Sequence, residues 1–147
     1  MNKRLILFIV VGFSAFASFG AIWYDLALSH INTNQLDDAI DIAAQQMSDA
    51  SITMPADYSQ IMMGILTNMI ANSSYHMLFC ILELIGLGIM LTNNKRAGFH
   101  IYAASQLGIG WLSYKVFGDS SFVFVVSCFF MVFIYYKLTH SKPEESK

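Results

Sequence analysis

Long apolar stretches alternate with short charged ones along this chain, and their lengths set the first expectation. The opening stretch runs from Leu5 to about Tyr24 (LILFIVVGFSAFASFGAIWY), enough helix at about 1.5 Å per residue to cross a hydrocarbon core of about 30 Å. A second lies at about Met69 to Leu91 and stops at the polar Asn93-Asn94-Lys95-Arg96. A third extends from about Ala97 to Tyr114 and a fourth from about Phe122 to Tyr136, joined by the tight Lys115 to Ser121 connection. The last two are near the short limit for a span, which is usually about 20 residues. The pattern predicts an all-α polytopic membrane protein: a single membrane domain over 1–147, built as a four-helix transmembrane bundle with spans at about 5–24, 69–91, 97–114 and 122–136.

Between the first two spans, residues 25–68 form a segment that is polar at first and then increasingly apolar. Leu36, Ile40, Ala43 and Met47 recur at helical spacing, with Asp37, Asp38 and Asp41 near the start, where negative charge meets the positive end of the helix dipole. Asn32 or Asn34 is placed to cap this amphipathic helix. Its polar side is acidic, which removes the usual attraction to anionic lipid, so it is expected to pack over the bundle or against a partner. The run Ser51-Ile52-Thr53-Met54-Pro55 should break it, with Pro55 in the first turn of the next helix. From Ala56 the pattern is helical as far as Leu91, so Ile61 to Leu66 stands beyond the span with more apolar area than water tolerates. Either the amphipathic helix or another subunit should cover it.

Composition agrees with lipid contact. Hydrophobic residues make up 56% of the 147 positions and charged ones only 12%, about half the charged share of a soluble domain. A net charge of −2 excludes the basic surface that nucleic acid requires. Ala15-Phe16-Ala17 also resembles a signal-peptide cleavage site, and cleavage there would leave three spans. The apolar run continues past it, so an uncleaved anchor is the expectation. With both termini cytoplasmic, Lys3, Arg4, Lys95, Arg96, Lys137, Lys142 and Lys147 lie inside and only Lys115 outside, as the positive-inside rule prefers. The economical loops suggest a bacterial inner membrane, with 137–147 as a charged cytoplasmic tail. Asp25, Asp37, Asp38, Asp41, Asp49, Asp57 and Asp119 then leave the outer face at a formal −6 once Lys115 is counted, ordinary solubilising charge or an attraction for a basic partner or a cation.

The chemistry that remains sits at membrane depth. Glu83 is the one acidic residue inside a predicted span; counting back from Lys95 puts it roughly 18 Å deep, near the midplane. An ionisable group there either fixes packing or handles a proton or ligand. Gln106 on the third span reaches nearly the same depth, and Ser14 and Ser127 also fall toward the middle, so a polar layer of Glu83, Gln106, Ser14 and Ser127 is expected. His76 and Cys80 share a helical face, and Cys128 should sit at the height of Cys80. With His100 these are possible ligand or metal contacts, although His76 and His100 stand at opposite boundaries and cannot jointly hold a haem. Small residues on the first span (Gly12, Ser14, Ala17, Ser18, Ala21) and the third (Ala104, Gly108) place the tight seam between those two helices. Tyr102, Trp111, Tyr114, Tyr135 and Tyr136 include candidates for interfacial aromatic belts.

No nucleophile with a base, no paired carboxylates and no glycine-rich phosphate loop is visible. The leading expectation is accordingly a small non-catalytic accessory or assembly subunit of a larger membrane complex, with no cofactor and with the bilayer, other subunits or its own copies as partners. One alternative is an oligomeric channel or proton-coupled transporter using Glu83. Another is a membrane enzyme or cofactor binder, which would require His76, Asp25, Asp57 or His100 to converge with Glu83 or a serine in a lipid-accessible cleft.

Overall fold

A computed structural model describes residues 3–52, 55 and 57–140. Thr53 and Met54 of the expected break, Ala56 at the expected start of the next helical stretch, the side chain of Asn34, and the tail 141–147 with Lys142 and Lys147 lie outside the described residues. The chain forms α1 (Lys3–Ser29), α2 (Thr33–Asp49), α3 (Tyr58–Met90), α4 (Lys95–Phe117), a 3-10 turn (Gly118–Ser121) and α5 (Phe122–His140). Several of these helices are long and apolar enough to cross a membrane, and α2 is a non-spanning helix between two of them. The protein is an integral membrane protein.

Lys95–His140 is continuously helical over 46 residues, about 69 Å if it were straight. It is not straight. The ring of Phe99 lies 5.8 Å from that of Tyr136 and 5.3 Å from that of His140, so the stretch folds back on itself as an antiparallel hairpin. Gly118 makes the reversal with φ +56° and ψ −137°, a region in which a Cβ is not tolerated. At the same end, Lys115 Nζ donates to Asn72 Oδ1 at 3.4 Å, which aligns the end of α4 with the upper part of α3.

The closest approach in the bundle is between α3 and α4, not between the first and third spans as the small residues suggested. A Cβ on Gly86 would stand 2.7 Å from the backbone nitrogen of Tyr102, and one on Gly98 would stand 2.5 Å from that of Met90 and 2.6 Å from the Gly86 carbonyl oxygen. The two backbones meet through paired glycines. Gly108 also serves this contact, holding the ring of Phe79 from α3 against the space a Cβ would fill, whereas Gly12 on α1 faces open space. Helix α1 packs chiefly on α3 and touches α5 only lightly.

Around the glycine crossing lies the apolar core, in which Leu7, Val11, Leu87, Met90, Phe99, Tyr102 and Tyr135 are buried. Tyr102 and Tyr135 therefore belong to the interior and not to an aromatic belt; Trp111, Tyr114 and Tyr136 remain exposed. The Tyr135 hydroxyl finds its polar partner by donating to Ser14 Oγ at 2.9 Å across the α1–α5 gap. Tyr135→Phe should lower stability by about 1 kcal/mol, read as a reduced melting temperature of the detergent-solubilised protein; an unchanged melt would show that this bond holds nothing together. Outward, Phe13 and Phe16 of α1 are 76% and 81% exposed, an apolar area that lipid or another protein must cover.

Helix α3 has 33 residues, about 50 Å, and so overshoots a hydrocarbon core of about 30 Å. Its first turns project beyond the bundle, and α2 packs against α3 with Leu36 and Ile40 buried. Ile61 stays half exposed, so the cover is partial. The start of α2 is held by the Asn32 carbonyl, which accepts from Gln35 and Leu36, and its end closes with Ile52 N–H donating to the Met47 carbonyl at 3.0 Å. Ser51 sits in the left-handed region there at φ 58°, the usual αL termination of a helix.

Candidate functional site

Helix α1 does not stop with its apolar run at Tyr24 but continues to Ser29, which carries Asp25 into the bundle as a buried helical residue instead of the first residue of an external connection. Leu26 and Leu28 beyond it extend the apolar face, and Leu28 is itself buried. One turn of chain thus changes what Asp25 can do. His76, on α3 opposite, donates from Nδ1 to Asp25 Oδ2 at 2.7 Å.

One helical turn further along α3 is Cys80, and its sulfur completes a convergence: one ligand atom each from Asp25, His76 and Cys80 all lie within 4.8 Å of one another. Asp25 and Cys80 are buried and His76 is partly exposed. Another turn along, Glu83 is buried, and it lines the same cleft as Ser18 and Gln106. His76, Cys80 and Glu83 recur every three or four residues, the spacing that lines up one face of a helix. Asp25, His76, Cys80 and Glu83 consequently form a continuous polar line from the α1 terminus toward the centre of the bundle.

The line borders two cavities. A smaller one of about 100 Å³ lies at the Asp25 end and is walled by Asp25, Asn72, Ser73 and His76 among apolar residues. A larger cleft of about 340 Å³ opens between α1 and α5 and reaches Ser14, Ser18, His76, Cys80, Glu83 and Gln106. It exists because α1 and α5 barely meet, leaving α3 and α4 as its floor. His76 contributes to the walls of both cavities. On the other side of Glu83 the Gly86–Gly98 crossing and the apolar core pack α3 against α4, and a separate cavity of about 370 Å³ lies at the Arg4 and Lys95 end.

Of the residues singled out from sequence, Glu83, Gln106, Ser14 and Ser127 all border the large cleft. Ser127 is exposed there and turns its hydroxyl back onto the Val123 carbonyl at 2.8 Å. Ser14 is tied to Tyr135, while Ser18, named only as a small residue, donates to the Ser14 carbonyl at 2.9 Å. Cys128 packs in one cluster with Cys80 and Ile109, and both thiols are free. His100 is exposed beside Phe99 at the far end of α4 and joins nothing. Asp57 likewise stays apart, at the start of α3. From sequence, Asp25 enters a site only among the groups that a membrane enzyme would have to gather, and the signal that could have placed it inside the bundle was the resumption of apolar character at Leu26-Ala27-Leu28 immediately after it.

A carboxylate, an imidazole and a thiol brought together beside a hollow can share a proton, orient a base, or hold a cation. Comparison with protein-family models, curated proteins and solved structures returns no match for this chain.

Proposed function

We propose that this protein crosses the membrane four times, with both termini cytoplasmic, and handles a cation through the cleft, moving protons by way of Glu83. The observation that carries this reading is the buried convergence of Asp25, His76 and Cys80 on the line that leads to Glu83. In lipid, buried polar groups are costly and concentrate where ions or protons pass. With Lys3, Arg4, Lys95 and Arg96 inside, Asp25 and the smaller cavity face outward, and the acidic outer segment raises the local cation concentration at their mouth. One chain encloses too little space for a water-filled path, so a second copy placed across the α1–α5 cleft is the natural way to complete it.

The test is an imposed pH gradient across proteoliposomes in a bacterial-type lipid mixture. Wild-type protein should dissipate the gradient faster than protein-free vesicles, and Glu83→Gln, which keeps the hydrogen-bonding shape, should insert normally and reduce that rate at least tenfold. A wild-type rate equal to that of empty vesicles, or a fully active E83Q, would end this proposal.

A second reading, an accessory subunit in a bacterial inner-membrane complex, is supported by the phenylalanine-covered outer faces of α1 and α5. It predicts that mild extraction from native membranes yields the chain in stoichiometric association with other polypeptides, whereas the carrier reading predicts the chain alone or with its own copies.

A further inference from the structure

We infer that Asp25, His76 and Cys80 bind one divalent transition-metal ion of borderline softness, of which Zn²⁺ is the representative, with a fourth coordination position open to the large cleft. The inference rests on the cleft being the working site of the protein and names the kind of cation it takes.

The shape of the cluster separates this from the two other roles such residues could have. In a nucleophile–base–carboxylate relay the imidazole stands between its partners, so sulfur and carboxylate oxygen lie roughly 7 Å apart. Here every pair of ligand atoms is within 4.8 Å, too close for the imidazole to stand between the other two. A purely structural Asp25–His76 bond would not require a thiol to join it. Zinc bonds of about 2.0–2.3 Å in tetrahedral arrangement place ligand atoms about 3.3–3.7 Å apart. The Asp25–His76 pair at 2.7 Å must therefore open by about 0.6 Å, and the cysteine, which lies within 4.8 Å of both, must close in by at most about 1 Å, movements within reach of side-chain rotation.

The donor set fixes the cation class. One thiolate, one imidazole and one carboxylate are a mixed set too soft for Mg²⁺ or Ca²⁺, which take oxygen ligands, and too hard to single out Cu⁺. Three protein ligands with one vacancy is also the pattern of zinc sites that exchange or activate a ligand, whereas structural sites are closed by four. His76 and Cys80 both line the cleft, so the vacancy faces the hollow that Glu83 borders. Charge and protons balance simply. The thiol of Cys80 loses its proton to solvent, the imidazole proton moves from Nδ1 to Nε2, and the ionised Asp25 coordinates directly, so one proton is released for each cation bound.

The experiment uses the full-length protein in detergent, stripped with a chelator and titrated with Co²⁺ alone, a spectroscopic substitute for Zn²⁺. The expected result is a near-ultraviolet thiolate-to-cobalt charge-transfer band that saturates at one ion per chain, is abolished by added Zn²⁺, and is matched by release of one proton in weak buffer. Cys80→Ser should remove the band, and Asp25→Asn and His76→Gln should each weaken binding about 100-fold or more. Cys128→Ser should leave the titration unchanged, which guards against a variant that merely misfolds. Absence of the charge-transfer band in the wild-type protein, its persistence in C80S, or its loss in a well-folded C128S would each overturn the assignment. Cobalt binding that saturates as expected in a protein that moves no protons would retain the metal site and discard the proton-handling function.

Discussion

Gly98→Ala should cost this protein about 3 kcal/mol or more, seen as a large drop in its melting temperature in detergent, although it adds a single methyl group. That methyl would lie 2.5 Å from one backbone atom and 2.6 Å from another, and backbone cannot rotate away as a side chain can. Relief requires α3 and α4 to move apart, which would open the buried surface around Met90, Tyr102 and Tyr135 together. Gly88→Ala is the matched control: a Cβ there meets nothing within 4 Å, so that variant should be neutral or gain up to about 1 kcal/mol of helix propensity. Both are read by thermal unfolding in detergent. Equal melting temperatures for the two variants would mean that the helices are not in backbone contact at this crossing.

That crossing also shows where the sequence was readable and where it was not. The lengths of the apolar runs and the placement of Asn93 to Arg96 locate helices because lipid leaves the backbone no other way to satisfy its hydrogen bonds. That Glu83 and Gln106 reach the same level, where both line the cleft, follows from counting residues along antiparallel helices. Which small residues form the seam did not follow. The spacing of small residues marks Gly12 and Gly108 as seam residues and not Gly86 or Gly98, because only the rotation of each helix about its axis decides that Gly86 and Gly98 face each other while Gly12 and Gly88 face outward. Tyr102 and Tyr135 were likewise indistinguishable from belt residues until that rotation was known.

The cluster at the top of the cleft was half legible for the same reason. His76 and Cys80 share a face of one helix whatever that helix packs against. Asp25 joins them only because α1 runs one turn past its apolar segment, and an acidic residue at the end of such a segment reads as its boundary. Cys128 was correctly placed in height, but height does not determine whether a side chain points at a ligand or into apolar packing, and here it packs against Cys80 and Ile109.

The Asp25–His76 bond is expected to hold α1 to α3 at the outer end, and a double-mutant cycle measures how firmly. Asp25 is buried and its 2.7 Å bond spans 51 positions of sequence, so it ties together two helices that otherwise approach mainly through small residues at this level. A hydrogen bond of this kind to a charged group contributes about 1.5–3 kcal/mol, and removing one partner leaves the other poorly solvated. Asp25→Ala and His76→Ala should therefore each destabilise the protein, and the double variant should be less destabilised than their sum by about 1.5–3 kcal/mol. The cycle is run on thermal unfolding of metal-free protein, so that coordination contributes nothing to the coupling. If Zn²⁺ is then added, only the wild-type chain should gain stability in proportion to the logarithm of the ion concentration, since each single variant has lost one ligand. Additive effects in the metal-free protein would mean that the bond contributes no stability, and α1 would then have to be held by the Ser14–Tyr135 contact and its packing deeper in the bundle.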